Sequence, residues 1–317
     1  MIFMDSKSNL DSKSNSIKRL AILGPIIAGA CWGGCGYFIR GLTDAGLDNP
    51  TIVFTREIFG TGLLLVYMLL TDRSGLRIKV RDVPSMLAVT IVGSVFFNFS
   101  YNIAVVELSL SLTSVMLATA PVFVLLISAV IFKEKITARK IICMFLAFGG
   151  CAMLSGILDP GAEVHAGKLG LLMGICMALC NGVYILTSKN VMTKGYGPLT
   201  VCLYIYAFAA VILVPFTDWN ALSEFMAVGP SDFIIKGPVG AFIYLLLQSF
   251  FSSVLPSITY MLGMKYIDAG KVAILEAGAE PSSALIVGLV IYGELPTPVG
   301  FAGMILAIIS IMVLARE

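Results

Sequence analysis

Residues 271–297 read KVAILEAGAEPSSALIVGLVIYGELPT, and residues 111–137 read SLTSVMLATAPVFVLLISAVIFKEKIT. A shift of 160 residues sets Pro121 beside Pro281, Glu134 beside Glu294 and Thr137 beside Thr297. Each stretch is a long apolar run with a proline inside it and a short polar turn after it. Two such runs at a fixed separation mark one structural unit used twice.

Composition says what kind of unit it is. Of 317 residues, 58% are hydrophobic and 13% charged, against about 25% charged in a soluble domain. The mean hydropathy is +0.95. Too few polar residues remain to cover a soluble core, so the chain reads as a polytopic membrane protein. At about 20 apolar residues per crossing, ten helices fit, at 20–40, 51–71, 83–105, 110–132, 139–157, 168–188, 198–216, 239–263, 271–292 and 298–315. The longest connection, 217–238, has room for a short interfacial helix. The expected fold is an all-α integral membrane protein, ten transmembrane helices arranged as two five-helix repeats, 18–157 and 166–316. A polar segment, 1–17, precedes them and is expected to be disordered and cytoplasmic.

Charge placement orients the chain. With the N-terminus in the cytoplasm, 17 of the 21 Lys and Arg residues fall on the inner side. Arg40, Arg56, Lys168 and Lys236 fall outside or at outer helix ends, a bias of the positive-inside kind. Both termini come out cytoplasmic. Five crossings per repeat is an odd number, so the repeats must be inverted relative to each other. The basic turn FKEKIT then lies inside, and its counterpart YGELPT, without Lys or Arg, lies outside. Inverted repeats build alternating-access carriers with a site near the midplane.

The runs ATAPVFVLLISAVIFKEKIT and GAEPSSALIVGLVIYGELPT, with SYNIAVVELS before the first, resemble the EamA-type family of the drug/metabolite transporter (DMT) superfamily. The Trp32-Gly33 pair and Arg56, in FTREIFG, also fit. The resemblance runs from about 18 to 316. It implies multi-pass transport of small metabolites across the cell membrane, often export, and no single substrate.

The acids in LEAGAEPSSALIV, residues 275–287, carry the chemistry. Glu280 sits near the centre of the ninth expected helix, where an ionised side chain costs about 2.5–3.5 kcal/mol. It must face a wet cavity, find a partner or take up a proton. Glu276 is one turn away on the same face, and two such carboxylates raise each other's proton affinity. This suits a proton-coupling group or a site for a cationic or zwitterionic substrate. Pro281 cannot bond the carbonyl of Ala277, nor Pro121 that of Leu117. Both repeats are therefore expected to break a helix near mid-membrane, in gating or in packing. Arg56, two turns inside the second helix, either snorkels outward or takes a substrate carboxylate. Trp32, Asn98, Tyr101 and Asn181 are the aromatic and amide residues expected to meet an apolar, orientable substrate; interhelical hydrogen bonding is the competing role. Gly29 and Gly33 read as a close-packing pair, and Glu134 and Glu294 as structural acids beside helix starts capped by Thr137 and Thr297.

Other chemistry is thinly represented. Cys31/Cys35 and Cys176/Cys180 have a ligand-like spacing without a third donor, so no metal is expected. His165 is the one histidine and sits in an outer loop. There is no phosphate-binding Gly-Lys loop, no nucleophile-base set and no nucleic-acid-binding pattern. The expected partners are the lipid bilayer, a small-molecule substrate and protons, with no cofactor. An uncoupled facilitator, a channel and an intramembrane enzyme using Glu276/Glu280 are the alternatives, and the oligomeric state is left open.

The topology is testable directly. Green fluorescent protein fused at either end should fluoresce, and alkaline phosphatase at either end should be inactive; activity at one end reverses that terminus.

Overall fold

The computed structural model describes residues 22–71, 73–120, 122–124, 126–127, 138–154, 167–230, 233–266 and 269–314. The 1–17 segment, Pro121, the FKEKIT turn with Glu134 and Thr137, and His165 lie outside them. The described residues are helical, without a strand. Six helices are long and apolar enough to cross a membrane: α1 (Ile22–Asp44), α2 (Asn49–Thr71), α3 (Val80–Glu107), α6 (Lys168–Met192), α7 (Pro198–Phe216) and α8 (Gly237–Gly263). The others are α4 (Leu110–Ala118), α5 (Ala138–Leu154), α9 (Ala269–Tyr292) and α10 (Pro298–Leu314). Their apolar stretches are shorter, so ten crossings stay an expectation. The long connection holds a helix, Trp219–Val228, capped by the Asp218 carboxylate, which accepts from the amides of Asn220 and Ala221. Thr297 caps α10 as expected, accepting from the Gly300 amide at 3.0 Å.

The polarity is that of a body in lipid. Phe145 and Val290 are each 75% exposed, while Gln248 is fully buried and Glu57 is 2% exposed. Apolar side chains face out, and polar ones are enclosed by the helices.

Helix pairing follows the internal repeat. α5 packs on α10, α2 on α7, and α4 on α9, each pair joining equivalent positions of the two halves. α3 packs on α6, and the equivalent contact joins α8 to α1, where Gly24 abuts the Thr259 carbonyl. Exchanging the halves leaves the pairing scheme unchanged.

Two glycines show the same relation at atomic detail. A Cβ on Gly33 would lie 2.1 Å from the Glu280 carbonyl oxygen and 2.9 Å from the Ala284 amide. A Cβ on Gly182 would lie 3.3 Å from the Ala120 carbonyl oxygen and 3.2 Å from the Val124 amide. Gly33 and Gly182 are 149 residues apart, and their contacts are 160 apart. One helix-crossing contact is therefore made twice, just before the position of each proline. Gly29, one turn earlier on α1, lies against the Glu276 carbonyl, and Ser283 donates to the Ala30 carbonyl at 2.7 Å. The Gly29/Gly33 pair is the close-packing face the sequence suggests.

Two features were not legible beforehand. α3 and α8 each contain a wide π-type turn, at Ile91–Phe96 and Phe250–Val254, again at equivalent places in the repeat. Such turns occur often at functional sites. Also, α9 runs through Pro281 without ending, which corrects the expected helix break there. Proline removes one hydrogen bond, and the turns on either side, packed closely on α1, carry the helix across it. The interruption is instead in α1, at Cys35, whose amide reaches back only three residues, to the Trp32 carbonyl, at 3.2 Å.

Polar ties join the halves at both ends. At one, Arg40 pairs with Glu294, donates to the carbonyls of Val105 and Leu108 at 2.9 and 2.7 Å and lies over the Tyr292 ring. Glu294 also accepts from the Leu110 amide at 2.9 Å. Its structural role holds, at the N-terminus of α4 rather than of the following helix. At the other end, Asp82 accepts from Lys194 at 3.0 Å and from the Tyr196 hydroxyl at 2.7 Å.

The glycine contacts differ in tightness, and this orders their mutants. Gly33→Ala must push on backbone and should destabilise by about 1–3 kcal/mol. Gly182→Ala should cost less. Melting midpoints of the purified variants in detergent check the order.

Candidate functional site

The buried polar groups gather where α1, α2, α3, α4, α8 and α9 meet. Their placement follows from the close crossing of α1 on α9 and from the two π-type turns.

Glu280 is 6% exposed on α9, and its Oε1 has no hydrogen-bond partner among the described residues. Ser114 of α4 lies beside its carboxylate, and Glu276 is the charged group acting on it. Glu276 is half-buried and meets the Tyr260 phenol of α8. The Tyr260 ring lies 5.7 Å from that of Trp32. Trp32, Tyr260 and Glu276 thus form a continuous aromatic and acidic surface.

Tyr101 of α3 is 7% exposed, and its hydroxyl meets the Cys35 thiol at 2.9 Å, at the interruption of α1. Its surroundings include both Glu280 and Arg56, so it stands between the acidic and basic parts of the site. Arg56 is 6% exposed and does not extend to a water interface. Its Nη2 lies 3.6 Å from Glu57 Oε1. That oxygen also accepts from Asn98 Nδ2 at 3.1 Å and Ser94 Oγ at 3.3 Å. The α3 π-type turn contains Ser94 and leads directly into Asn98. On the other side, Ser249 donates to the Arg56 carbonyl at 3.0 Å, immediately before the α8 turn. The two turns flank the Arg56–Glu57 pair.

Several buried atoms here have no partner among the described residues: Arg56 Nε, Glu57 Oε2, Glu280 Oε1 and both amide atoms of Gln248. An unsatisfied buried polar group costs about 1–3 kcal/mol, and native proteins keep few of them. Several together, of both charges and beside aromatic rings, suit a site completed by water or by a polar ligand.

The structure thus brings together Trp32, Tyr101, Glu276, Glu280, Arg56 and Asn98. Asn98 spends its donors on Glu57 and Ser94. Asn181 is half-buried on α6 next to Gly182, and no bond joins it to this cluster among the described residues. Pro281 is buried directly after Glu280. Sequence reasoning passed over Tyr260 and Ser94. A signal existed for each: Gln248, Ser252 and Tyr260 recur at multiples of four on α8, and Ser94 precedes Asn98 by four.

A helical body with apolar outer faces that encloses buried acids, a guanidinium and aromatics suits a membrane transporter. The chain belongs to the EamA-like transporter family, whose model matches it twice, over residues 19–156 and 168–316. Two uncharacterized transporters of Archaeoglobus fulgidus are similar. One is 24% identical over 92% of this chain and 95% of the relative; the other is 26% identical over 57% and 59%. A probable terminal-alkyne amino-acid exporter of Streptantibioticus cattleyicolor is 25% identical over 76% of each chain. A solved crystal structure shares the fold, with a TM-score of 0.55, 16% identity, and coverage of 96% of this chain and 98% of the other.

The network around Glu57 makes a stability prediction. Asn98→Ala leaves a buried carboxylate short of a donor and should destabilise by about 1–3 kcal/mol. Glu57→Gln strips buried Arg56 of its counter-ion and should also destabilise, and the double variant should lose less than the sum of the two single losses, because both act on one network. Melting midpoints of the single and double variants give the coupling.

Proposed function

We propose that the protein is a secondary active carrier that exports small organic metabolites bearing an amine, amino acids among them, across the cell membrane by alternating access. Two inverted five-helix repeats enclose a midplane cavity, and both termini are cytoplasmic. The single observation that carries this reading is the position of Glu280. It is a buried acid with an unpartnered oxygen, on the helix turn where α1 of one half lies against α9 of the other. A charge change there acts at the seam between the halves.

Glu280, coupled to Glu276, takes either a proton or the substrate ammonium, and its occupancy biases which way the cavity opens. Trp32 and Tyr101 line the substrate path beside it, with Tyr260 orienting Glu276. Asn98 acts through Glu57. Asn181 lines the corresponding part of the second repeat. Among the described residues Arg56 is the one buried guanidinium, and a substrate carboxylate reaches it only in competition with Glu57. Pro281, with Pro121 as its counterpart, leaves a carbonyl free and lets the helix flex during gating. That a relative is named an amino-acid exporter supports an amine-bearing substrate.

The test compares cells overproducing the wild type, Glu280→Gln or neither, with metabolites in the medium profiled by mass spectrometry at two external pH values. The expected outcome is a compound exported unchanged by the wild type, with Glu280→Gln reducing its export at least about tenfold or abolishing its pH dependence. Equal, equally pH-dependent export by both proteins removes Glu280 from the mechanism.

A further inference from the structure

Glu57 is a buried carboxylate to which the carrier mechanism gives no proton and no substrate. Neighbours in sequence on a helix ordinarily diverge, yet Glu57 Oε1 and Arg56 Nη2 lie 3.6 Å apart. The reason is on α3 and α8: Ser94 and Asn98 of α3 hold that oxygen from one side, while Ser249 of α8 holds the Arg56 backbone from the other. Glu57 is 2% exposed and Arg56 6%. A fixed carboxylate beside a buried guanidinium largely cancels its charge.

Among the described residues Glu280 has no such counter-ion. The charged group acting on it is another acid, Glu276, and no Lys or Arg pairs with either acid among the described residues. Among the described residues the site therefore holds one cation, Arg56, against three acids, Glu57, Glu276 and Glu280. A substrate carboxylate would have to compete with Glu57 for Arg56. Among the described residues no cation competes with a substrate ammonium at Glu280, and the Trp32–Tyr260 aromatic pair beside Glu276 favours a cation.

We infer that Glu57 is the specificity-determining residue of this site: by neutralising Arg56 it selects organic amine cations that lack a carboxylate over the corresponding amino acids. This rests on the carrier reading above and narrows it.

The experiment uses the purified full-length chain in liposomes, with two matched pairs of probes that differ by a carboxylate: phenethylamine against phenylalanine, and cadaverine against lysine. Initial rates at equal concentration give an amine-to-amino-acid ratio for each pair. The wild type should favour the amine by about tenfold or more, and Glu57→Gln, which frees Arg56, should lower the ratio at least about tenfold. A Glu57→Gln ratio within about twofold of wild type, in protein that elutes as one species, overturns the inference. So does a wild-type preference for the amino acid, and that measurement stands even where the variant fails to fold. Transport of no probe by the wild type overturns the carrier reading for amine-bearing substrates, and the inference with it.

Discussion

The structure depends on one backbone contact: Gly33 of α1 against the Glu280 carbonyl of α9. In lipid there is no hydrophobic drive to bring helices together, so association rests on close packing and polar contacts. A side chain at position 33 would hold the two backbones apart. Their approach fixes where Glu280 sits relative to Cys35 and Tyr101. It also places Trp32 against Tyr260, and so against Glu276. The same contact recurs between Gly182 and Ala120, but there the residue before the proline is alanine. The two halves share a scaffold, and only one of them carries the acid. That asymmetry is what a repeated fold needs to become a site.

Burial decides how the charged groups behave. An isolated charge in a low-dielectric interior is costly, and a partner removes much of that cost only if its geometry is held. Arg56 and Glu57 are adjacent in sequence and gain their contact from α3 and α8, through Ser94, Asn98 and Ser249. Glu280 and Glu276 are left among hydroxyls and aromatics, without a cation among the described residues. The interior is thus divided into a neutralised pair and an uncompensated acid, with Tyr101 between them.

The two polar ties at opposite ends close the seam between the halves. Arg40–Glu294 gathers the ends of α1, α3 and α9 and the start of α4, and Asp82 with Lys194 and Tyr196 gathers the start of α3 and the α6–α7 turn. Each consists of a few charge-assisted bonds at a partly exposed position. Such bonds can exchange with water at modest cost, whereas the glycine crossings cannot. The ends are therefore the looser parts of the seam, and the glycine crossing between them is the tight one.

Much of this was legible in the sequence, because lipid imposes a simple rule. Every backbone group must be satisfied within its own helix or barrel, so apolar length alone marks the helices. The recurrence of Pro, Glu and Thr at a shift of 160 exposed the repeat, and isolated acids in apolar runs pointed to Glu276 and Glu280. The spacing of Gly29 and Gly33 announced close packing. What the sequence did not determine are features made by residues far apart in the chain. The pairing of Tyr260 with Glu276 is one, and the interruption of α1 at Cys35 is another. The passage of α9 through Pro281 and the capture of Glu57 by Ser94 and Asn98 are two more. Each is an energy shared between helices, set by which faces meet and how closely. Local propensity and hydropathy describe one helix at a time and carry no term for it, so only the tertiary structure decided them.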